Sequence, residues 1–280
     1  MFKEHPFDAA WLTLLPAYDH WVQGEVNEAF IAVEAWAQSY AAWSSTIQAV
    51  YAPRLGSFYW ALGQLGRAKD LLGRSPVALR HGYLVAFADA IDDHEGLHDH
   101  MTAFMSLQPS NRYLFGQVRS GLMPDPAVVQ AEPGGHQQLL AGEQAFRRGD
   151  WRDAIASLAP GVEWSRDPSR SDRTLFYMAS EYLATAWLEV GEDTQALHVL
   201  AQAAQGRPRY RRGGLIEGAR VWCRAQARLA REYRKLGRTS EAVAIEDDVL
   251  HMLKYADADH PIVIEIKEGR ADMAVEPVAQ

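Results

Sequence analysis

The chain has 280 residues, 48% of them hydrophobic and 23% charged, which is enough to bury a large core as one or two domains. A formal charge of -8 argues against a surface of clustered Lys and Arg that neutralises phosphates, so nucleic acid is not the expected partner. Cys223 is the only cysteine, which excludes an intrachain disulfide and a thiolate-rich zinc site and fits a reducing compartment. In chain order, hydrophobic periodicity predicts helices over 7–22, 26–50, 56–72, 76–93, 97–107, 136–147, 151–160, 172–189, 193–204, 214–236 and 239–254. Residues 109–135 hold Pro109, Pro124, Pro126 and Pro133 with no helical period, and read as a long Pro/Gly-rich connecting loop. It would divide an N-terminal helical lobe, 1–108, from a C-terminal one, 136–268, with 269–280 as a flexible tail. The first residues lack the pattern of a secretory signal, and no apolar run reaches the roughly 20 residues of a membrane span. A cytoplasmic protein with no membrane partner is expected.

An internal repeat organises these helices. One copy reads Leu229-Ala230-Arg231-Glu232-Tyr233, Leu236-Gly237, then Glu241-Ala242 and Ile245. Others run through Leu183, Ala184, Trp187, Gly191, Ala196 and Leu200, and through Ala141, Gly142, Ala145, Phe146, Gly149, Ala154 and Leu158. A further copy has Leu55, Gly56, Tyr59, Trp60, Gly63, Ala68 and Leu72, with weaker ones around Gly24 and Gly96. Apolar residues three and four apart give each helix one adhesive face, and the glycine ends the first helix in a left-handed cap. The alanine of the next helix lets the two axes approach. Each pair leaves an apolar side that only another pair can cover, so the pairs must stack.

At these residues the chain resembles the tetratricopeptide repeat (TPR) family, most strongly over 138–253. Its glycines, Gly24, Gly63, Gly96, Gly149, Gly191 and Gly237, lie 39, 33, 53, 42 and 46 residues apart, mostly longer than that family's period of about 34. The resemblance implies an all-α solenoid of about six antiparallel helix pairs, a TPR-like superhelix, whose first helices line a concave groove. The ending Lys254-Tyr255-Ala256-Asp257-Ala258-Asp259-His260-Pro261 is similar to the close of the repeat arrays that bacterial signalling proteins carry.

Two groups of residues are candidates for function. Arg207, Arg209, Arg211 and Arg212 precede a helix on which Arg220, Arg224, Arg228 and Arg231 follow one face, opposite Trp222, Leu229, Tyr233 and Leu236. By the resemblance, Arg224, Arg231 and Lys235 face a ligand, and guanidinium groups so arrayed suit an acidic peptide, a free C-terminus or a phosphate. The neighbouring units add Met178, Glu181, Thr185 and Leu188, and Leu139, Glu143 and Phe146. The competing reading makes the arginines a solvated face, and Phe146 and Leu188 ordinary core, as Trp21, Trp36, Trp43, Trp60 and Cys223 are expected to be.

The second group is the string His94-Glu95-Gly96-Leu97-His98, which satisfies the H-E-x-x-H zinc motif. Acidic flanks, the glycine within it and the lack of a third ligand at a fitting spacing weigh against a catalytic site. His94, His98 and His100 remain candidate metal ligands. No phosphate loop, nucleophile elbow or kinase motif is present. The expected function is a non-catalytic protein-interaction or scaffolding module with no cofactor. The alternatives are a sensory or regulatory lobe of a bacterial kinase or transcription system, and a metal-dependent hydrolase.

Overall fold

A computed structural model describes residues 14–91, 93–107, 114–167, 173–205 and 217–275, and every regular element among them is helical. The helices are Leu15–Gln23 (α1), Val26–Ala41 (α2), Ser45–Ala61 (α3), Leu65–Gly73 (α4), Val77–Ala90 (α5), His94–Leu107 (α6), Leu114–Arg119 (α7) and Pro126–Gln130 (α8). They continue as Gly134–Arg148 (α9), Trp151–Arg166 (α10), Arg173–Glu189 (α11), Asp193–Ala204 (α12), Glu217–Lys235 (α13), Thr239–Met252 (α14) and Pro261–Val275 (α15). Among the described residues no helix is long and apolar enough to cross a membrane.

Five of the predicted glycines make the same turn. Gly24, Gly63, Gly149, Gly191 and Gly237 join α1 to α2, α3 to α4, α9 to α10, α11 to α12 and α13 to α14, with φ between 72° and 84°. At Gly149 the glycine N–H donates to the Phe146 carbonyl at 3.0 Å, and the Asp150 N–H reaches back to Ala145 at 3.0 Å. This Schellman closure satisfies carbonyls that the helix end leaves open. The next residue starts the second helix from one shared backbone conformation: Glu25, Gln64, Asp150 and Glu192 have φ of -81° to -99° and ψ of 60° to 74°. One local geometry therefore generates the antiparallel pairs, and the fold is an all-α helical repeat.

Gly96 departs from the expectation. It lies in the first turn of α6, where its N–H donates to Asp93 Oδ1 at 2.9 Å, so Asp93 begins a helix where the glycine was expected to end one. The left-handed role passes to Gly121, φ 79°, at the end of α7. Other boundaries also moved. The helix expected over 26–50 breaks at Ala42–Ser44, where Gln48 Nε2 donates to the Tyr40 and Ala41 carbonyls and closes α2. Segment 109–135, expected as a loop, contains α7 and α8, the latter capped by Asp125, whose Oδ1 accepts from the Ala127 N–H at 2.9 Å. The expected tail begins inside α15.

The chain forms two compact units, divided elsewhere than at 109–135: the described parts of 1–80, 207–217 and 246–280 form one, and those of 81–206 and 218–245 the other. In the first, α1/α2 and α3/α4 stack through α2 and α3, around an aromatic group of buried Trp36, Tyr40 and Tyr51 with half-buried Trp43. The residues after α14 close on the turns of both pairs. Tyr255 stacks on Phe30 at 4.0 Å and donates to Asn27 Oδ1 at 2.8 Å. The Asp257 N–H donates to the Gly63 carbonyl at 3.0 Å, and its carboxylate accepts from the Gly66 N–H at 2.9 Å. Non-contiguous stretches of chain thus complete one core.

In the second unit, α9 to α13 pack in series, each against the next. Contact between α9 and α10 is close because Gly142 lacks a side chain: a Cβ there would meet Leu158 Cγ at 2.6 Å and the Leu158 backbone nitrogen at 2.9 Å. Backbone cannot yield as a side-chain tip can. Gly142→Ala is expected to lower unfolding free energy toward the upper end of the roughly 1–3 kcal/mol typical of overpacking. Gly149→Ala, which meets only Trp151 at 3.8 Å but keeps a left-handed φ, is expected to cost about 1–2 kcal/mol. Urea denaturation of the two variants measures both, and the reverse order would contradict this packing.

A second expectation concerns His260, which is 6% exposed. Burial holds its imidazole below the ordinary 6.5, against the pull of Asp257 and Asp259. As pH falls below about 6.5 the unfolded chain takes up this proton before the folded one, so stability is lost on acidification. His260→Gln should flatten the slope of unfolding free energy against pH between about 5 and 7, read from denaturation midpoints.

Candidate functional site

Periodicity places the sequence candidates on α9, α11 and α13, the first helices of three consecutive pairs. The structure links Glu143, Glu181 and Arg224 through Arg119 and Asp89, and partners most of the candidates internally. Glu143 of α9 is 2% exposed and is gripped by Arg119 of α7, with Nε at 2.7 Å from one carboxylate oxygen and Nη2 at 3.3 Å from the other. Arg119 Nη1 also donates to Asp89 Oδ2 of α5 at 3.0 Å and lies 3.2 Å from Met178 Sδ of α11. Beside it, Glu181 of α11 accepts from Arg224 of α13 at 2.6 Å, with Arg228 at 3.9 Å. Arg224 Nη1 in turn reaches the Asp89 carbonyl at 3.4 Å.

The first helices of the repeat therefore meet the end of α5 and α7 through a set of buried charges. Arg119 and Asp89 were absent from the sequence reading of the site. Asp89 lies near the end of α5, and Arg119 sat in a segment read as loop. Burial alone would loosen the proton of Arg119, but Glu143 and Asp89 outweigh it and hold the guanidinium above its ordinary range. Burial pushes the Glu143 carboxyl up, with Arg119 opposing. Burial, then Glu143, also raise the Tyr182 phenol, which stays neutral. Arg228 is held down by burial, against Glu181.

The remaining candidates have other surroundings. Phe146 is half-buried against Trp151 at 5.4 Å and Tyr182 at 4.8 Å. Leu188 packs on the core of Ala184, Ala196, Leu200 and Leu229, and the Thr185 hydroxyl is turned back to the Glu181 carbonyl at 2.8 Å. Arg231 and Lys235 reach solvent, at 40% and 62% exposure, around buried Glu232 at 3.5 Å and 3.1 Å. Leu236, expected in the core stripe with Trp222, Leu229 and Tyr233, is half exposed because the helix ends there. Arg207, Arg209, Arg211 and Arg212, and the side chain of Arg220, lie outside the described residues. Cys223 is buried.

The H-E-x-x-H string opens α6, and its two histidines do share one continuous helix. His98 Nδ1 is 2.9 Å from the Ser120 carbonyl, and the His100 ring lies 5.5 Å from that of His81. Among the described residues no three His, Cys, Asp or Glu groups stand where they could hold a metal ion.

No protein-family model matches the chain, and no curated protein matches it. Among solved structures it is similar to the crystal structure of the P58(IPK) TPR domain, at 11% identity and a TM-score of 0.34, over 96% of this chain and 67% of that one. The assignment as a helical repeat rests on the turns and pairs described above.

Removing one partner of a buried ion pair leaves the other as an uncompensated charge, which costs about 3–5 kcal/mol. Arg119→Met is expected to lose that much at pH 7. In the variant the main opposing charge is gone and only the more distant Arg147, at 4.0 Å, still counters burial, so the Glu143 carboxyl rises further above its ordinary 4.5 and is neutral below its new value. The loss should therefore shrink when chemical denaturation is repeated at pH 5, and a loss independent of pH would contradict this account.

Proposed function

We propose that the chain is a non-catalytic interaction module that binds a protein or peptide segment across the face shared by α9, α11 and α13. The supporting observation is that one repeated turn aligns the first helices of three pairs, so that side chains far apart in sequence share a surface. That surface combines half-buried apolar side chains, Phe146 and Leu188, with cations at its exposed end, Arg147, Arg231 and Lys235. Glu232 lies between the latter pair, at 3.5 Å from Arg231 and 3.1 Å from Lys235. A partner carrying acidic side chains or a terminal carboxylate beside an apolar anchor fits this chemistry. Glu143, Glu181 and Arg224 stand behind this surface in buried pairs and hold the helices in register.

The test is affinity capture from the native lysate with three forms of the chain. Wild type and Arg152→Glu, a reversal at an exposed position on α10, are expected to retain the same partner. The double variant Arg231→Glu, Lys235→Glu is expected to lose it, and wild-type capture to weaken as salt rises. A partner held equally by the double variant would overturn the assignment of this face.

A further inference from the structure

The residues that follow α14 hold the first two helix pairs by their turns, through contacts that are mostly polar. Lys254 Nζ and the Tyr255 hydroxyl both donate to Asn27 Oδ1 at the start of α2, at 2.9 Å and 2.8 Å, and the Tyr255 ring lies flat on Phe30. At the second turn the Asp257 N–H donates to the Gly63 carbonyl, and the Asp257 carboxylate accepts from the Gly66 N–H. The approach is so close that a Cβ on Gly63 would stand 2.5 Å from that of Ala256. Lys254, Ala258 and Asp259 are exposed, and Tyr255, Ala256 and Asp257 are half-buried. Little apolar surface therefore holds this segment down, which places it at the low end of local stability.

His260 is the inward residue of the segment. Its N–H donates to the Asp257 carbonyl at 3.0 Å, and its carbonyl accepts from Ile264 in the first turn of α15. The ring is 6% exposed, and its Nδ1 is buried without a hydrogen-bond partner. In a neutral ring that nitrogen can remain a lone-pair acceptor. In a protonated ring it becomes a charged donor left without an acceptor, which is far more costly in a buried site. The charges acting on the ring are those of Asp257 and Asp259 in its own segment, and burial outweighs them. Charged groups of the adjoining stretches are engaged elsewhere: Arg270 of α15 with Glu246 and Asp247 of α14, His251 with the Gly24 carbonyl, and Lys254 with Asn27.

We infer that residues 254–260 are an acid-released clasp: protonation of His260 frees them from the turns at Asn27 and Gly63 while the pairs α1/α2 and α3/α4 stay folded. Those pairs keep the bonds from the Gly24 and Gly63 N–H back to Trp21 and Trp60, and the aromatic group of Trp36, Tyr40, Trp43 and Tyr51. Release uncovers the Phe30 ring and opens the Gly63 carbonyl and the Gly66 N–H to solvent. It is independent of the partner face proposed above. The open segment binds the proton near the ordinary 6.5 and the closed one only at lower pH. Opening is therefore favoured progressively below pH 6.5, by up to about tenfold per unit, until the closed ring also takes up the proton.

Native-state hydrogen exchange of the full chain reads this opening. The Asp257 and Gly66 amides report the clasp, and the Ala68 amide, bonded to the Gln64 carbonyl at the start of α4, reports the pairs. After correction for the intrinsic pH dependence of exchange, the opening constant of the clasp amides is expected to rise roughly fivefold or more from pH 7 to pH 5. Its urea dependence is expected to be shallower than that of Ala68. His260→Gln is expected to remove the rise with acid and keep the shallow urea dependence. Clasp amides that exchange no faster than Ala68 at pH 5, with the same urea dependence, would overturn the inference from wild type alone, even if the variant fails to fold. A rise that persists unchanged in folded His260→Gln would overturn it too, because another group, Asp257 first among them, would then be taking up the proton.

Discussion

Each helix pair depends on a helix that ends in a left-handed glycine and a second helix that begins two residues later. The Schellman closure consumes two of the carbonyls that the first helix end exposes, and the second helix starts from a shared backbone conformation with no side-chain cap at Glu25, Gln64, Asp150 or Glu192. With the turn fixed, the separation of the two axes is set by what stands opposite. Gly142 facing Leu158 brings α9 against α10 more closely than any side chain would allow. Repeating that geometry puts α9, α11 and α13 side by side, and only then do Glu143, Glu181 and Arg224 share a face.

Charge on that face is governed by burial. An ionised carboxylate as enclosed as Glu143 is costly unless a cation with several donors meets it, and the planar fork of Arg119 does so with both oxygens. Arg119 also holds Asp89, so one guanidinium ties α5 and α7 to α9. The Asp89 carbonyl carries the connection on to Arg224 of α13. Buried charges paired in this way resist a slip between the helices, because any slip leaves a charge unpaired.

The sequence made the hairpins readable and the site much less so. Gly24, Gly63, Gly149, Gly191 and Gly237 could be found because alanine and large apolar residues stand at constant offsets around them, and those offsets are the pair's own contacts. Gly96 shares the residue type and lacks the physics: Asp93 three residues earlier accepts its N–H, and an Asx-type cap starts a helix. The spacing Asp93 to Gly96 was the available signal. α7 and α8 are too short to show a period, and their flanking prolines resemble a loop. Glu143 read as a ligand-facing acid because its partner is 24 residues away in that segment, and no local rule pairs Glu143 with Arg119. Arg231 and Lys235 were legible as exposed cations, and both meet Glu232 of their own helix.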